Sequence, residues 1–170
     1  MDLVKKIRDI PDFPQKGILF RDITPILQDP ESLRASVDQI VEKLEKFDFD
    51  LIVAPESRGF IFGMPVAYQM KKGFIPIRKA GKLPAEVLKK EYSLEYGTAV
   101  IEMHKDAIKP GQKVVLIDDL LATGGTAKAM LEMINDAGGI VSAAVFLIEL
   151  SALGGKKELE PVPTFSIIRY

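Results

Sequence analysis

Short apolar runs without polar alternation punctuate the chain at Leu51 to Ala54, Phe74 to Ile77, Val114 to Ile117 and Ile140 to Ile148. Such runs suit strands covered on both faces, the environment of a parallel sheet. Between and before them, apolar residues recur at spacings of three and four. Leu33, Val37, Ile40, Val41 and Leu44 mark one helix, with Glu42, Lys43 and Glu45 on its solvated side. Asp29-Pro30-Glu31 opens it as cap, first-turn proline and first-turn acid. Further helices are predicted over 60–70 and over 126–137, the second stopped by Gly138-Gly139. This alternation predicts right-handed βαβ units and a doubly wound α/β fold built on a parallel sheet.

The pattern breaks between Lys79 and Gly111, a polar stretch with Gly81, Pro84, Gly97 and Pro110 and one strand candidate, Thr98 to Glu102. A loop of this length in a compact domain is functional or disordered. With 170 residues, 47% apolar and 28% charged, the chain is expected to form a single domain over 1–170. A net charge of -1 argues against a nucleic-acid partner. The absence of cysteine excludes disulfides and thiolate chemistry and fits a reducing cytoplasm. No apolar run approaches the roughly 18 residues of a membrane span, and the N-terminus lacks a signal-peptide core, so a cytoplasmic protein without membrane partners is expected.

Two segments carry chemistry. In the first, the strand Val114 to Ile117 runs through Asp118-Asp119 and Leu120-Leu121 into Ala122-Thr123-Gly124-Gly125-Thr126, which opens a helix. Gly124 and Gly125 can adopt positive φ and leave backbone N–H groups bare, and Thr123 and Thr126 add hydroxyls beside the helix N-terminus. That is a cradle for a terminal phosphate. Asp118 and Asp119 can only accept hydrogen bonds when ionised, and vicinal sugar hydroxyls are natural donors to them. The second segment, Ala54-Pro55-Glu56-Ser57-Arg58-Gly59, again leads from a strand into a helix. Arg58 points a permanently charged planar fork at an oxyanion, as pyrophosphate would require. Gly59 and Gly63 are read as permitting close helix–sheet packing. His104 stands alone among charged residues and is read as a surface residue.

The first segment closely resembles the signature of the type I phosphoribosyltransferases, which bind phosphoribosyl pyrophosphate (PRPP). From about Phe13 onward the chain is similar to their adenine-specific subfamily, through Asp12-Phe13-Pro14, Gly17 to Ile23, Glu56 to Phe60, Arg78-Lys79 with Gly81 to Pro84, and Tyr92 to Gly97. The resemblance implies transfer of 5-phosphoribosyl from PRPP to adenine, giving AMP and pyrophosphate. It implies a small hood over residues 1–30 and a mobile flap over about 79–110. It places PRPP and AMP on Asp118, Asp119, Ala122, Thr123, Gly124, Gly125 and Thr126. Pyrophosphate falls to Glu56, Ser57, Arg58, Arg78, Lys79 and Lys82. Adenine would lie between Phe20 and Leu120, its edge read by the backbone of Leu19 and Arg21. Glu95 and Arg58 are the implied catalytic residues, Glu95 exchanging a proton with the purine. Mg²⁺ would be held mainly by PRPP and water rather than by a protein metal site, and a homodimer is implied. Another base on the same fold, or a regulator that has lost catalysis, are the alternatives; the second would need an extension for which the chain has no spare length.

Overall fold

The computed structural model describes residues 1–94 and 97–170, and it divides into two compact units, Met1–Gln39 and Ile40–Tyr170. In the first unit, β1 (Arg8–Ile10) pairs antiparallel with β2 (Phe20–Asp22), followed by the short helix α1 (Thr24–Gln28) and the start of α2 (Pro30–Leu44). Val37, Ile40, Val41 and Leu44 on α2 are buried, as their spacing predicts. At the start of α2 the Asp29 carboxylate accepts from the hydroxyl and the backbone N–H of Ser32 and pairs with Lys6 at 3.0 Å. Those contacts, the Ser32 hydroxyl foremost, hold the Asp29 carboxyl below the usual carboxylate range.

The second unit is built on a seven-stranded sheet in the order β5-β6-β4-β3-β7-β8-β9. Its members are β3 (Leu51–Pro55), β4 (Gly73–Lys79), β5 (Val87–Ser93), β6 (Thr98–His104), β7 (Lys113–Leu121), β8 (Ile140–Glu149) and β9 (Thr164–Arg169). The pairs β3–β4, β3–β7, β7–β8 and β8–β9 are parallel, and β6 joins β4 and β5 antiparallel. The four apolar runs are thus the central parallel strands, and the polar stretch after Lys79 contains a β5–β6 hairpin rather than one isolated strand.

Helix α3 (Arg58–Met70) connects β3 to β4, and α4 (Gly125–Asp136) connects β7 to β8. From the adjacent strands β3 and β7 the chain moves outward in opposite directions, so right-handed crossovers put α3 and α4 on opposite faces. The point where strand order reverses lies between the carboxyl ends of β3 and β7, which is where open α/β sheets bind ligands. Helix α3 lies close because Gly63 has no side chain: a Cβ there would come within 2.8 Å of the Phe74 ring and 2.9 Å of Ala54 Cβ. His104 is half-buried, with Nε2 accepting the Ala85 N–H at 3.4 Å, so it ties the hairpin rather than standing free on the surface.

Candidate active site

Strand β7 extends four residues beyond its apolar run, so Asp118 and Asp119 are the last part of a strand and not a turn after it. Asp118 Oδ1 accepts the Asp119 N–H at 2.8 Å. The Asp119 carboxylate takes an ion pair from Arg58 Nε at 2.9 Å, which binds the loop after β3 to the end of β7. Loss of hydration, reinforced by the Asp119 charge beside it, pushes the Asp118 carboxyl well above its ordinary range, against a smaller opposing pull from Arg58. Gly59 makes room for that carboxylate, since a Cβ at 59 would sit 3.0 Å from Asp118 Oδ1 and 2.6 Å from Pro55 Cδ.

Beyond Leu121 the chain turns sharply into α4. Gly124 holds φ +89° as the residue before the helix, whereas Gly125 is already helical, so the positive φ open to both glycines is used at Gly124. The first turn of α4 leaves its N–H groups without intrahelical acceptors at the positive end of the helix dipole. A cavity of about 210 Å³ is lined by Arg58, Asp118, Asp119, Leu120 and the whole of Ala122 to Thr126. Those expected residues are therefore brought together on one concave surface.

The turn has a backstop that the sequence reading missed. Gly155, in the connection between β8 and β9, lies so close that a Cβ there would overlap the Ala122 carbonyl and come within 2.9 Å of Gly124 N. A Cβ at Gly124 would in turn meet Gly155 O at 2.6 Å. The two backbones are in contact because both residues are glycine. The only sequence signal was the pair Gly154-Gly155, and its partner lies about 30 residues away.

A second cavity, of about 470 Å³, is lined by Glu56, Arg78, Lys79, Tyr92 and Thr126 among others. Glu56 Oε1 accepts the Lys79 N–H at 2.7 Å and lies 3.3 Å from Arg78 Nε. The Lys79 N–H, helped by the two cations, lowers the Glu56 carboxyl pKa despite partial desolvation. Arg78 Nε is buried and makes no hydrogen bond. Ser57 and Lys82 are exposed and line neither cavity. Thr126 belongs to both cavities, and its hydroxyl donates to the Tyr92 hydroxyl at 3.2 Å, linking β5 to α4. Tyr92 is a further site residue that sequence reasoning did not single out for chemistry.

In the N-terminal unit, the Phe20 ring meets Phe13 edge to face at 5.1 Å, and Leu19 is exposed. The Arg21 side chain is held by Asp9 at 2.6 Å. Glu95 lies outside the described residues.

Comparison with known proteins supplies independent findings. The family model for the phosphoribosyl transferase domain matches residues 23–167. The chain is 58% identical over 168 residues to an adenine phosphoribosyltransferase of Lachnoclostridium phytofermentans, covering 99% of this chain and 97% of the relative. It is similar to the crystal structure of the Thermoanaerobacter pseudethanolicus adenine phosphoribosyltransferase, with a TM-score of 0.97 and 51% identity over 99% of this chain and 98% of the other. The Saccharomyces cerevisiae enzyme, complexed with D-2,5-dideoxy-2,5-imino-altritol 1,6-bisphosphate and adenine, superposes with a TM-score of 0.91 at 38% identity, covering 98% and 96% of the two chains.

Proposed function

We infer, because this chain belongs to the phosphoribosyl transferase domain family and within it to the adenine phosphoribosyltransferases, that it transfers 5-phosphoribosyl from PRPP to adenine, giving AMP and pyrophosphate. The observation that supports this reading best is the cavity where the β7 carboxylates stand beside the first turn of α4. A ribose 5-phosphate needs those two things in that order: acceptors for its hydroxyls and donors for its phosphate.

We assign the division of labour from the family resemblance, and the geometry of the two cavities supports part of it. Thr123 to Thr126 and Ala122 hold the 5-phosphate, and Asp118 and Asp119 hold the ribose hydroxyls, which fixes C1 toward the base. Arg58, Arg78, Lys79 and Lys82 with the Glu56-Ser57 loop receive the pyrophosphate. As the bond to pyrophosphate breaks, C1 becomes oxocarbenium-like and the leaving group gains charge, which fixed guanidinium groups stabilise without reorganising. Arg58 already sits on Asp119, so pyrophosphate competes with that carboxylate for the fork. Phe20 and Leu120 are assigned to adenine. With the Arg21 side chain committed to Asp9, its backbone and that of Leu19 are left to read the base edge. Glu95 exchanges the purine proton.

The donor set suits Mg²⁺. Asp118 and Asp119 are hard oxygen ligands of the kind Mg²⁺ takes, and the ion would be held mainly by PRPP and water. When bound, it supplies charge neutralisation at the departing pyrophosphate.

The active assembly is a homodimer. In support, α3 exposes Met64 and Tyr68 on one face, with Phe60 half-buried one turn earlier, an apolar stripe at spacing four that a second copy would cover. No helix of the described residues is long and apolar enough to cross a membrane. A cysteine-free chain suits the reducing cytoplasm, the compartment we assign.

Phosphorus NMR of PRPP incubated with adenine, Mg²⁺ and catalytic protein tests the reaction. AMP and pyrophosphate should appear in equal amounts. PRPP that persists, or that decays without AMP, would overturn it.

A further inference from the structure

Glu102 is a buried carboxylate that the reaction as described does not use. It lies on β6, 3% exposed, in register with Arg78 on β4 and Lys89 on β5. Residues paired in this way present their side chains on one face of the sheet. One of its oxygens accepts the backbone N–H of Gly81, and the other lies 3.8 Å from Lys89 Nζ, itself largely solvated. Burying a carboxylate is costly unless its oxygens are satisfied, so this arrangement needs a reason.

The reason lies in the turn that follows β4. Lys79, Gly81 and Lys82 carry it, and Gly81 adopts φ +81°, a conformation strained for any residue with a Cβ. Two acids grip the backbone of this turn from within the unit: Glu56 takes the N–H of Lys79, and Glu102 takes the N–H of Gly81. Their acceptor oxygens are spent on the main chain, and Lys82 remains exposed beside the anchored glycine. We propose that Glu102 is a positioning residue that fixes the basic turn of residues 79–82 at the pyrophosphate end of the site, and so sets affinity for PRPP but not for AMP. This rests on the assignment of Arg78, Lys79 and Lys82 to pyrophosphate.

Reach and charge can be separated by two conservative variants. Glu102→Gln keeps the reach and an oxygen acceptor but loses the charge; Glu102→Asp keeps the charge but withdraws the acceptor by one methylene. The expected result is that Glu102→Asp raises KM for PRPP about tenfold and weakens pyrophosphate inhibition equally, with kcat and the Kd for AMP within about twofold of the parent. Glu102→Gln should stay close to the parent in all four. Equal weakening of AMP and PRPP in Glu102→Asp would reduce the residue to general structural support and overturn the proposal. So would a Gln variant worse than the Asp variant, because charge rather than the Gly81 hydrogen bond would then matter. If neither variant folds, hydrogen exchange in the parent decides: a protected Gly81 amide is expected, and exchange at the rate of an open turn overturns the anchor. Lys82→Ala and Arg78→Ala separate the two readings. If both leave PRPP affinity unchanged, the pyrophosphate assignment falls and this inference with it; if both weaken PRPP while Glu102→Asp does not, only the anchor falls.

Discussion

At the level of single residues, the site depends on a few positions where one atom decides. Gly124 combines φ +89° with a Gly155 carbonyl 2.6 Å from where a Cβ would stand, whereas at Gly125 the nearest atom would be Ser93 O at 3.9 Å. Gly124→Ala is therefore expected to lower AMP affinity by at least about tenfold and to reduce the melting temperature, since the left-handed backbone alone costs about 1–2 kcal/mol. Gly125→Ala should keep the fold and change AMP binding far less; titration calorimetry and thermal melts on both variants check the contrast. Asp118 gives a prediction with a definite sign. Its folded-state pKa lies well above 3.8, so the native state binds more protons than the unfolded chain between those values, and the group costs stability as pH rises through that window. Asp118→Asn should raise the melting temperature at about pH 8, and the gain should vanish as pH falls toward about 4. A gain that is constant with pH would show that burial of the charge is not its source. Activity should be lost at every pH, because an amide presents one acceptor fewer to the ribose. Glu95→Gln, assigned by resemblance, is expected to slow single-turnover AMP formation by about 10² to 10⁴ with little change in PRPP binding. A single-turnover rate equal to the parent's would remove Glu95 from the chemistry.

Among the elements, legibility followed burial. Strands β3, β7 and β8 are buried along consecutive residues and read directly as apolar runs, as does β4, where buried Ile75 and Ile77 alternate with half-buried Phe74 and Pro76. Strand β5 did not, because Lys89, Lys90 and Glu91 interrupt it and an edge strand with a wet face tolerates such charges. Strand β9 is the other edge, a six-residue segment just after Pro161-Val162-Pro163, and β1 and β2 are only three residues each. The phosphate turn was legible because strand, carboxylates, glycines and helix are contiguous. Gly155, Glu102 and Tyr92 were not, because what each does depends on a partner 21 or more residues away that no local pattern announces. At this scale the α3 stripe makes its own prediction. Met64→Lys combined with Tyr68→Glu places charges of both signs on a face read as covered by a second copy. Light scattering should show the parent as a dimer and the variant as a folded monomer. A parent that is monomeric at micromolar concentration would remove the dimer from the account.

For the molecule as a whole, the reversal of strand order between β3 and β7 explains why the two chemical loops face one another. The loop proposed for pyrophosphate follows one of these strands and the proposed phosphate cradle the other, and Arg58 bridges them through Asp119. The fold thus positions the loops proposed to hold PRPP, while Phe20, the residue proposed to take the base, lies in the N-terminal unit, braced edge-on by Phe13. A base recognised through buried backbone donors and acceptors leaves them unpaired when the complementary edge is wrong, and such sites reject the wrong partner strongly. The central claim is therefore tested most directly by kcat/KM with adenine against hypoxanthine, each with saturating PRPP and Mg²⁺. The account predicts AMP from adenine with a preference of at least roughly 10³. Equal turnover of the two bases, or preference for hypoxanthine, would contradict it.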